Sequence, residues 1–159
     1  MHVVWRIGTE TETFAADDLS GTGAKLSGGR WNEKNFPVVY ASTTRSLACL
    51  ETIVHLNARG LPQNRYLVEI AIPADLWTAA RRETAASLPV GWDAEPASKT
   101  SIDFGTAWLK SGSSAILVVP SVIVPEEFNI LLNPRHANFP NIRARKIRKW
   151  QYDARFFAA

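Results

Sequence analysis

Four short apolar runs, each bounded by polar or turn residues, set the architecture of this chain: VVWRI (Val3–Ile7), VVYAS (Val38–Ser42), YLVEIAI (Tyr66–Ile72) and SAILVVPSVIVP (Ser114–Pro125). Runs of this length, rich in β-branched residues, read as strands rather than helices. The last is broken by Pro120, which removes a ladder donor and predicts a bend or an edge between two strand halves. Helical spacing is found in TTRSLACLETIVHLN (Thr43–Asn57), where Leu47, Leu50, Val54 and Ile53 recur on one side and Thr43 or Thr44 is placed to cap the start. DFGTAWLKSG (Asp103–Gly112) reads as a second, short helix stopped at Gly112. Ala74–Lys99 carries weak signals and is expected to include loop. EEFNILLNPRHANF turns at Asn133-Pro134, and IRARKIRKWQYDARFF ends the chain as a strand with an irregular tail. With no repeat, low-complexity tract or linker, the expectation is one compact α+β domain over residues 1–159.

That length suffices to bury roughly two-thirds of the unfolded surface without staples. Cys49 is the single cysteine, so no intrachain disulfide forms and a reducing compartment is expected. No charged-then-apolar leader and no spanning apolar run is present, which predicts a cytoplasmic protein with no membrane association. The net charge of +3 is concentrated: Arg143, Arg145, Lys146, Arg148 and Lys149 leave thirteen cations against fifteen acids elsewhere. A basic nucleic-acid-binding module is one reading of such a run, and an acidic protein partner another. A solvated strand or helix face is simpler, because no stacking aromatics interleave with the cations.

The segment GTGAKLSGGRWN (Gly21–Asn32) holds four glycines, Lys25 and Arg30. Glycines cluster where the backbone turns with positive φ or where something must approach it closely. Amide N–H groups beside cations suit a phosphate. The segment is neither a P-loop nor a dinucleotide fingerprint, so an irregular loop and an anion site both remain open, and Arg30 reads also as a cation stapling the loop. Glu51 falls beside the apolar stripe of the first helix and four residues before His55. A carboxylate there must be exposed, paired or functional. Tyr40 alone reads as a core aromatic and Ser121 as a turn residue outside any G-x-S-x-G. His2, His55 and His136 are far apart and lack companion ligands, so no metal site is expected.

In order and spacing, VWRI, GTGAKLSGGRWN, VVYAS, LACLETIVHL, VPSVIVPEEFNILLNP, RHANF and YDARFF resemble the RES-domain toxin family over nearly the whole chain. The arginine, glutamate and serine that name the family correspond to Arg30, Glu51 and Ser121, and its essential tyrosine to Tyr40. Ala137 and Ala154 stand where the family often has proline. The resemblance implies a fold like that of ADP-ribosyltransferases, a split sheet with flanking helices. It also implies an NAD-consuming toxin in a toxin–antitoxin pair. Its partner would be a helix-turn-helix, Xre-like antitoxin that blocks the active site, with DNA reached only through that antitoxin.

Known members hydrolyse or phosphorolyse NAD+, and some ADP-ribosylate a protein. NAD+ is thus expected as substrate, with no permanently bound cofactor and no metal. NAD+ degradation is the first expectation, and transfer to a protein the second. Cleavage of the nicotinamide–ribose bond expels a neutral leaving group and builds oxocarbenium charge on the ribose, which a nearby carboxylate stabilises. Glu51 is assigned that role. Arg30, with Lys25 and the Gly28–Gly29 backbone, is assigned the pyrophosphate. Tyr40 is assigned to the nicotinamide ribose, and Ser121 to the ribose or the nicotinamide amide. This assignment expects Glu51 and Arg30 to line one cavity of dinucleotide size.

Overall fold

The structure, a computed structural model, describes residues 1–56 and 60–157. The expected strands form: β1 is His2–Thr9, β2 Val39–Ser42 and β3 Arg65–Ile72. A two-residue β4 (Arg81–Arg82) precedes β5 (Ile116–Pro120), β6 (Phe128–Leu132) and β7 (Arg143–Lys149). They make one sheet in the order β4-β5-β6-β2-β1-β3-β7, antiparallel throughout except for the parallel pair β4–β5. Strands β1 and β2 share a single registered pair, Trp5↔Ser42, whereas β1 and β3 pair along eight residues. The sheet is therefore two ladders, β4-β5-β6-β2 and β1-β3-β7, hinged at Trp5 and Ser42. This is the split α+β architecture expected. Arg6 reinforces the hinge by donating from Nη1 to the Tyr40 carbonyl at 2.9 Å.

One face of the sheet carries a single continuous core across both ladders, from Ile116, Val118, Ile130 and Leu132 through Val39 and Ala41 to Val4, Val68 and Ile70. Strand alternation puts the neighbouring residues on the other face. There the apolar residues divide into two clusters. Trp31, Trp92, Trp108, Leu117, Val119 and Leu131 cover the first ladder, and Ile7, Ala48, Cys49, Leu67 and Tyr152 cover the second.

Helix α1 (Thr22–Ser27) lies inside the glycine segment, which is thus not wholly irregular. Gly21 at φ 71° and Gly28 at φ 69° bracket it in the left-handed region, so the glycines bound a helix of under two turns. Helix α2 (Arg45–Ile53) starts where expected, with Thr44 Oγ1 accepting the Leu47 N–H at 3.1 Å. It stops earlier than expected. Val54 and His55 lie beyond its end and are exposed, so Glu51 occupies the last turn and does not share a helical face with His55. Asn57, the last residue of the expected helix, lies outside the described residues.

Within Ala74–Lys99, α3 (Ala74–Thr78) and β4 form, and the remainder up to Ser98 is loop. Helix α4 (Lys99–Ser111) begins four residues before the expected start and ends at Gly112, φ 60°. The stretch after Pro120 is not a strand: Ser121 Oγ accepts the N–H groups of Ile123 and Val124, both at 3.1 Å, and this local turn replaces a ladder.

Close approach at Gly105 joins α4 to the glycine segment. A Cβ there would lie 1.9 Å from the Trp31 carbonyl oxygen. Gly105→Ala should therefore lower stability by about 1–3 kcal/mol, the usual cost of overpacking, although alanine is the better helix former. Urea denaturation measures this; an unchanged midpoint would mean that α4 moves away at no cost.

The basic run forms the edge strand β7. Arg145 meets Glu69 at 3.2 Å, Lys146 meets Glu10 at 2.6 Å, and the Arg148 guanidinium stacks over Trp150. These contacts match a solvated strand face, and cations along an outer edge also discourage pairing with other chains.

Candidate active site

The seam between the two apolar clusters is polar. Across it run the registered neighbours Val119, Asn129, Ser42 and Trp5, contributed by β5, β6, β2 and β1. Helix α2 packs beside this row and lowers Glu51 onto it. Ser121 Oγ donates to Glu51 Oε1 at 2.8 Å, and Asn129 Nδ2 donates to the same oxygen at 2.6 Å. Ser42 Oγ donates to Asn129 Oδ1 at 2.8 Å, which fixes the amide with its nitrogen towards the carboxylate. Among the described residues Oε2 carries no hydrogen bond. A half-buried carboxylate held through one oxygen by two donors has its orientation fixed.

The structure brings Ser121 to Glu51, a contact not anticipated from sequence, and its position limits what else it does. It is 0% exposed, and its oxygen already serves Glu51, Ile123 and Val124. It orients the glutamate and closes the turn after β5; a direct contact with ribose or nicotinamide, as first assigned, does not fit that burial.

Two residues before Ser42, on the same face of β2, Tyr40 donates to Asn32 Oδ1 at 2.6 Å and accepts the Trp31 N–H at 3.0 Å. Burial pushes its phenol well above the ordinary value, opposed by the Trp31 N–H and the nearby Arg30 charge, so Tyr40 stays protonated and acts as a donor. Asn32, itself buried, also donates from Nδ2 to the carbonyls of Ala24 and Phe36. Gly29 is required here, since a Cβ would lie 2.9 Å from both Tyr40 Oη and Asn32 Oδ1.

The amides of Gly28 and Gly29 are used within the loop, donating to Ala24 at 2.8 Å and Asn32 at 3.0 Å. These glycines supply room, and the expectation that their N–H groups hold a phosphate is corrected accordingly. Lys25 lies in the last turn of α1, half-buried, and its side chain makes no hydrogen bond or salt bridge among the described residues. Arg30 does staple the loop. Its Nη1 donates to the carbonyls of Trp92 (3.2 Å) and Ala94 (2.7 Å), and its Nη2 meets Glu95 Oε2 at 2.8 Å.

The structure thus joins Glu51 to Ser121 directly. Asn129 and Ser42 continue this network onto β2, the strand that also carries Tyr40, whereas Arg30 makes no hydrogen bond to it among the described residues and turns its side chain to Trp92, Ala94 and Glu95. Two surface hollows, of about 340 and 250 Å³, lie between Phe36, Leu109 and Arg135 and between Arg6, Phe14 and Asp18; neither is lined by Arg30 or Glu51.

Asn129, Ser42 and Asn32 were not singled out from sequence. VVYAS reads there as a strand and FNILL only as part of the stretch before the Asn133-Pro134 turn, and nothing local reveals that Ser42 and Asn129 are cross-strand partners. Asn129→Ala removes one of two donors to a carboxylate and orphans the buried Ser42 hydroxyl. Hydrogen bonds to charged groups are worth about 1.5–3 kcal/mol, so turnover should fall roughly ten- to a hundredfold. Steady-state kinetics beside a thermal melt checks this; a loss confined to KM would place Asn129 in substrate binding instead.

The RES domain family pattern matches residues 3–155. The chain is 59% identical over 151 residues to a Sphingobium sp. protein named Prs ADP-ribosylating toxin, covering 95% of this chain and 94% of that one. It is 40% identical over 126 residues to a protein of Yersinia enterocolitica named Toxin Res, covering 79% and 81% respectively. Its fold is similar to that of a chain in the Mycobacterium tuberculosis MbcT–MbcA toxin–antitoxin complex, with a TM-score of 0.66 at 16% identity over 91% of this chain and 81% of the other. A seam in which Ser121 and Asn129 hold Glu51, and a match that spans almost every residue, lead to one conclusion: the chain belongs to the RES-domain toxin family.

Proposed function

We propose that this protein is a toxin that cleaves the nicotinamide–ribose bond of NAD+ and passes the ADP-ribosyl group to an acceptor. The observation that carries this reading is the convergence of Ser121 Oγ and Asn129 Nδ2 on Glu51 Oε1. An anion fixed in that way needs little reorganisation as positive charge develops at the ribose, which is where electrostatic stabilisation is most effective. Nicotinamide leaves as a neutral molecule, so neither a general acid nor a metal is required for its departure. Arg30, with Lys25 on the preceding helix, supplies positive charge for the pyrophosphate.

Hydrolysis or phosphorolysis, the first expectation from sequence, shares this bond-breaking step with transfer to protein. The 59% identical relative named as ADP-ribosylating Prs favours a protein acceptor, with a Prs protein as the leading candidate. Purified protein incubated with NAD+, alone, with phosphate and with Prs, followed by mass spectrometry, separates ADP-ribose, its 1″-phosphate and modified Prs. Modified Prs is the expected main product. Intact NAD+ under all three conditions would overturn the reading.

The likeness to a chain of a toxin–antitoxin complex supports a cognate antitoxin that closes the seam. An acidic or C-terminal carboxylate presented to Arg30 is a suitable plug. Co-purification with the product of an adjacent helix-turn-helix gene, together with loss of NAD+ turnover in the complex, is the expected result.

A further inference from the structure

Arg30 is assigned the substrate's diphosphate, yet the guanidinium already has a carboxylate. Its side chain is 19% exposed, while Glu95, paired with it at 2.8 Å, is 77% exposed. The loop that carries Glu95 is anchored independently. Trp92 is buried and stacks on Trp31 with ring centroids 6.2 Å apart, and Ser98 Oγ donates to the Gly91 carbonyl at 3.0 Å. Arg30 Nη1 is separately engaged by the carbonyls of Trp92 and Ala94.

The three contacts divide by chemistry. Two neutral carbonyls aim the guanidinium, and one solvent-facing carboxylate occupies a position that an anionic ligand oxygen would take. Loss of the carboxylate contact leaves the anchoring contacts in place, so nothing else in the loop must move for it to be exchanged.

We propose that Glu95 is a built-in competitor for the diphosphate at Arg30: substrate binding replaces the Glu95 carboxylate with a phosphate oxygen, and the carbonyls of Trp92 and Ala94 keep the guanidinium aimed. This rests on the NAD+ reading for the identity of the substrate, but the competition itself concerns any diphosphate. It makes Glu95 a residue that sets substrate affinity, and one that acts against binding. Its effect is modest, because an exposed ion pair contributes little.

The test uses ADP as the diphosphate probe, titrated calorimetrically into the wild-type protein, Glu95→Gln and Arg30→Lys at low and high salt. Glu95→Gln keeps the shape and removes the charge. It should bind ADP about two- to fivefold more tightly at low salt, with the gain shrinking as salt screens the pair. Arg30→Lys should lose most of the affinity, and thermal melts confirm that both variants fold. If Glu95 merely holds the loop, Glu95→Gln binds ADP equally or less well, and the proposal is overturned. ADP binding by none of the proteins overturns it too.

A parallel NAD+ assay keeps the two readings apart. Tighter ADP binding in Glu95→Gln without any NAD+ turnover would sink the NAD+ reading and leave the competition standing. Turnover with an unchanged ADP affinity and KM would do the reverse.

Discussion

Glu51→Gln should lower the rate of NAD+ consumption by about 10²–10³-fold while leaving the protein folded. The size follows from the loss of a preorganised group facing transition-state charge. The substitution isolates that charge, because a glutamine oxygen still accepts from Ser121 and Asn129, so the network that ties α2 to β5 and β6 survives. The amide no longer offers a negative charge to the ribose. The measurement is NAD+ disappearance with matched circular dichroism and melting curves, and growth of a bacterial host expressing either form. An unaltered rate in a folded Glu51→Gln protein would remove Glu51 from the chemistry, and the proposed mechanism with it.

Trp108→Ala should cost about 3–5 kcal/mol, a large share of a domain stability of roughly 5–15 kcal/mol. Trp108 lies on α4 and is 1% exposed, packed in the cluster that includes Trp31, Leu117 and Leu131. Its indole N–H donates to Ser114 Oγ at 2.9 Å, and that hydroxyl in turn donates to the Ile116 carbonyl, so truncation opens a cavity and orphans a buried acceptor. The effect should reach the site, because the same cluster seats Trp31, whose neighbour is Arg30. Urea denaturation at equilibrium reads the stability, and ADP titration of the variant below its unfolding transition reads the site. A loss under about 1 kcal/mol would show that the cluster repacks around the missing ring.

Much of the ladder was legible because strands β1, β2 and β3 are continuous apolar runs whose ends are marked by local chemistry. The start of α2 at Thr44 and the end of α4 at Gly112 were legible for the same reason: a cap hydroxyl and a left-handed glycine act within a few residues. Helix α1 was not, because four glycines argue against a helix and nothing local shows that two of them are its boundaries. The turn after Pro120 was missed because VIV has every mark of a strand. What stops it is the Ser121 hydroxyl, which takes the N–H groups of Ile123 and Val124.

The candidate site divides in the same way. The ordered motifs identified Arg30, Tyr40, Glu51 and Ser121, since side-chain types and their spacing are properties of the chain. The supporting residues Ser42, Asn129 and Asn32, and the Glu95 carboxylate on Arg30, come from partners 87, 78, 8 and 65 positions away.

By itself, the sequence determined the secondary elements with local signals, the α+β class and the family to which the chain belongs. Tertiary structure decided where the sheet splits, which oxygen of Glu51 is held, that Ser121 is buried and that Arg30 already holds a carboxylate. Those outcomes depend on strand order and register, which arise when distant segments compete to bury apolar surface and satisfy polar groups together. No window of neighbouring residues contains that competition.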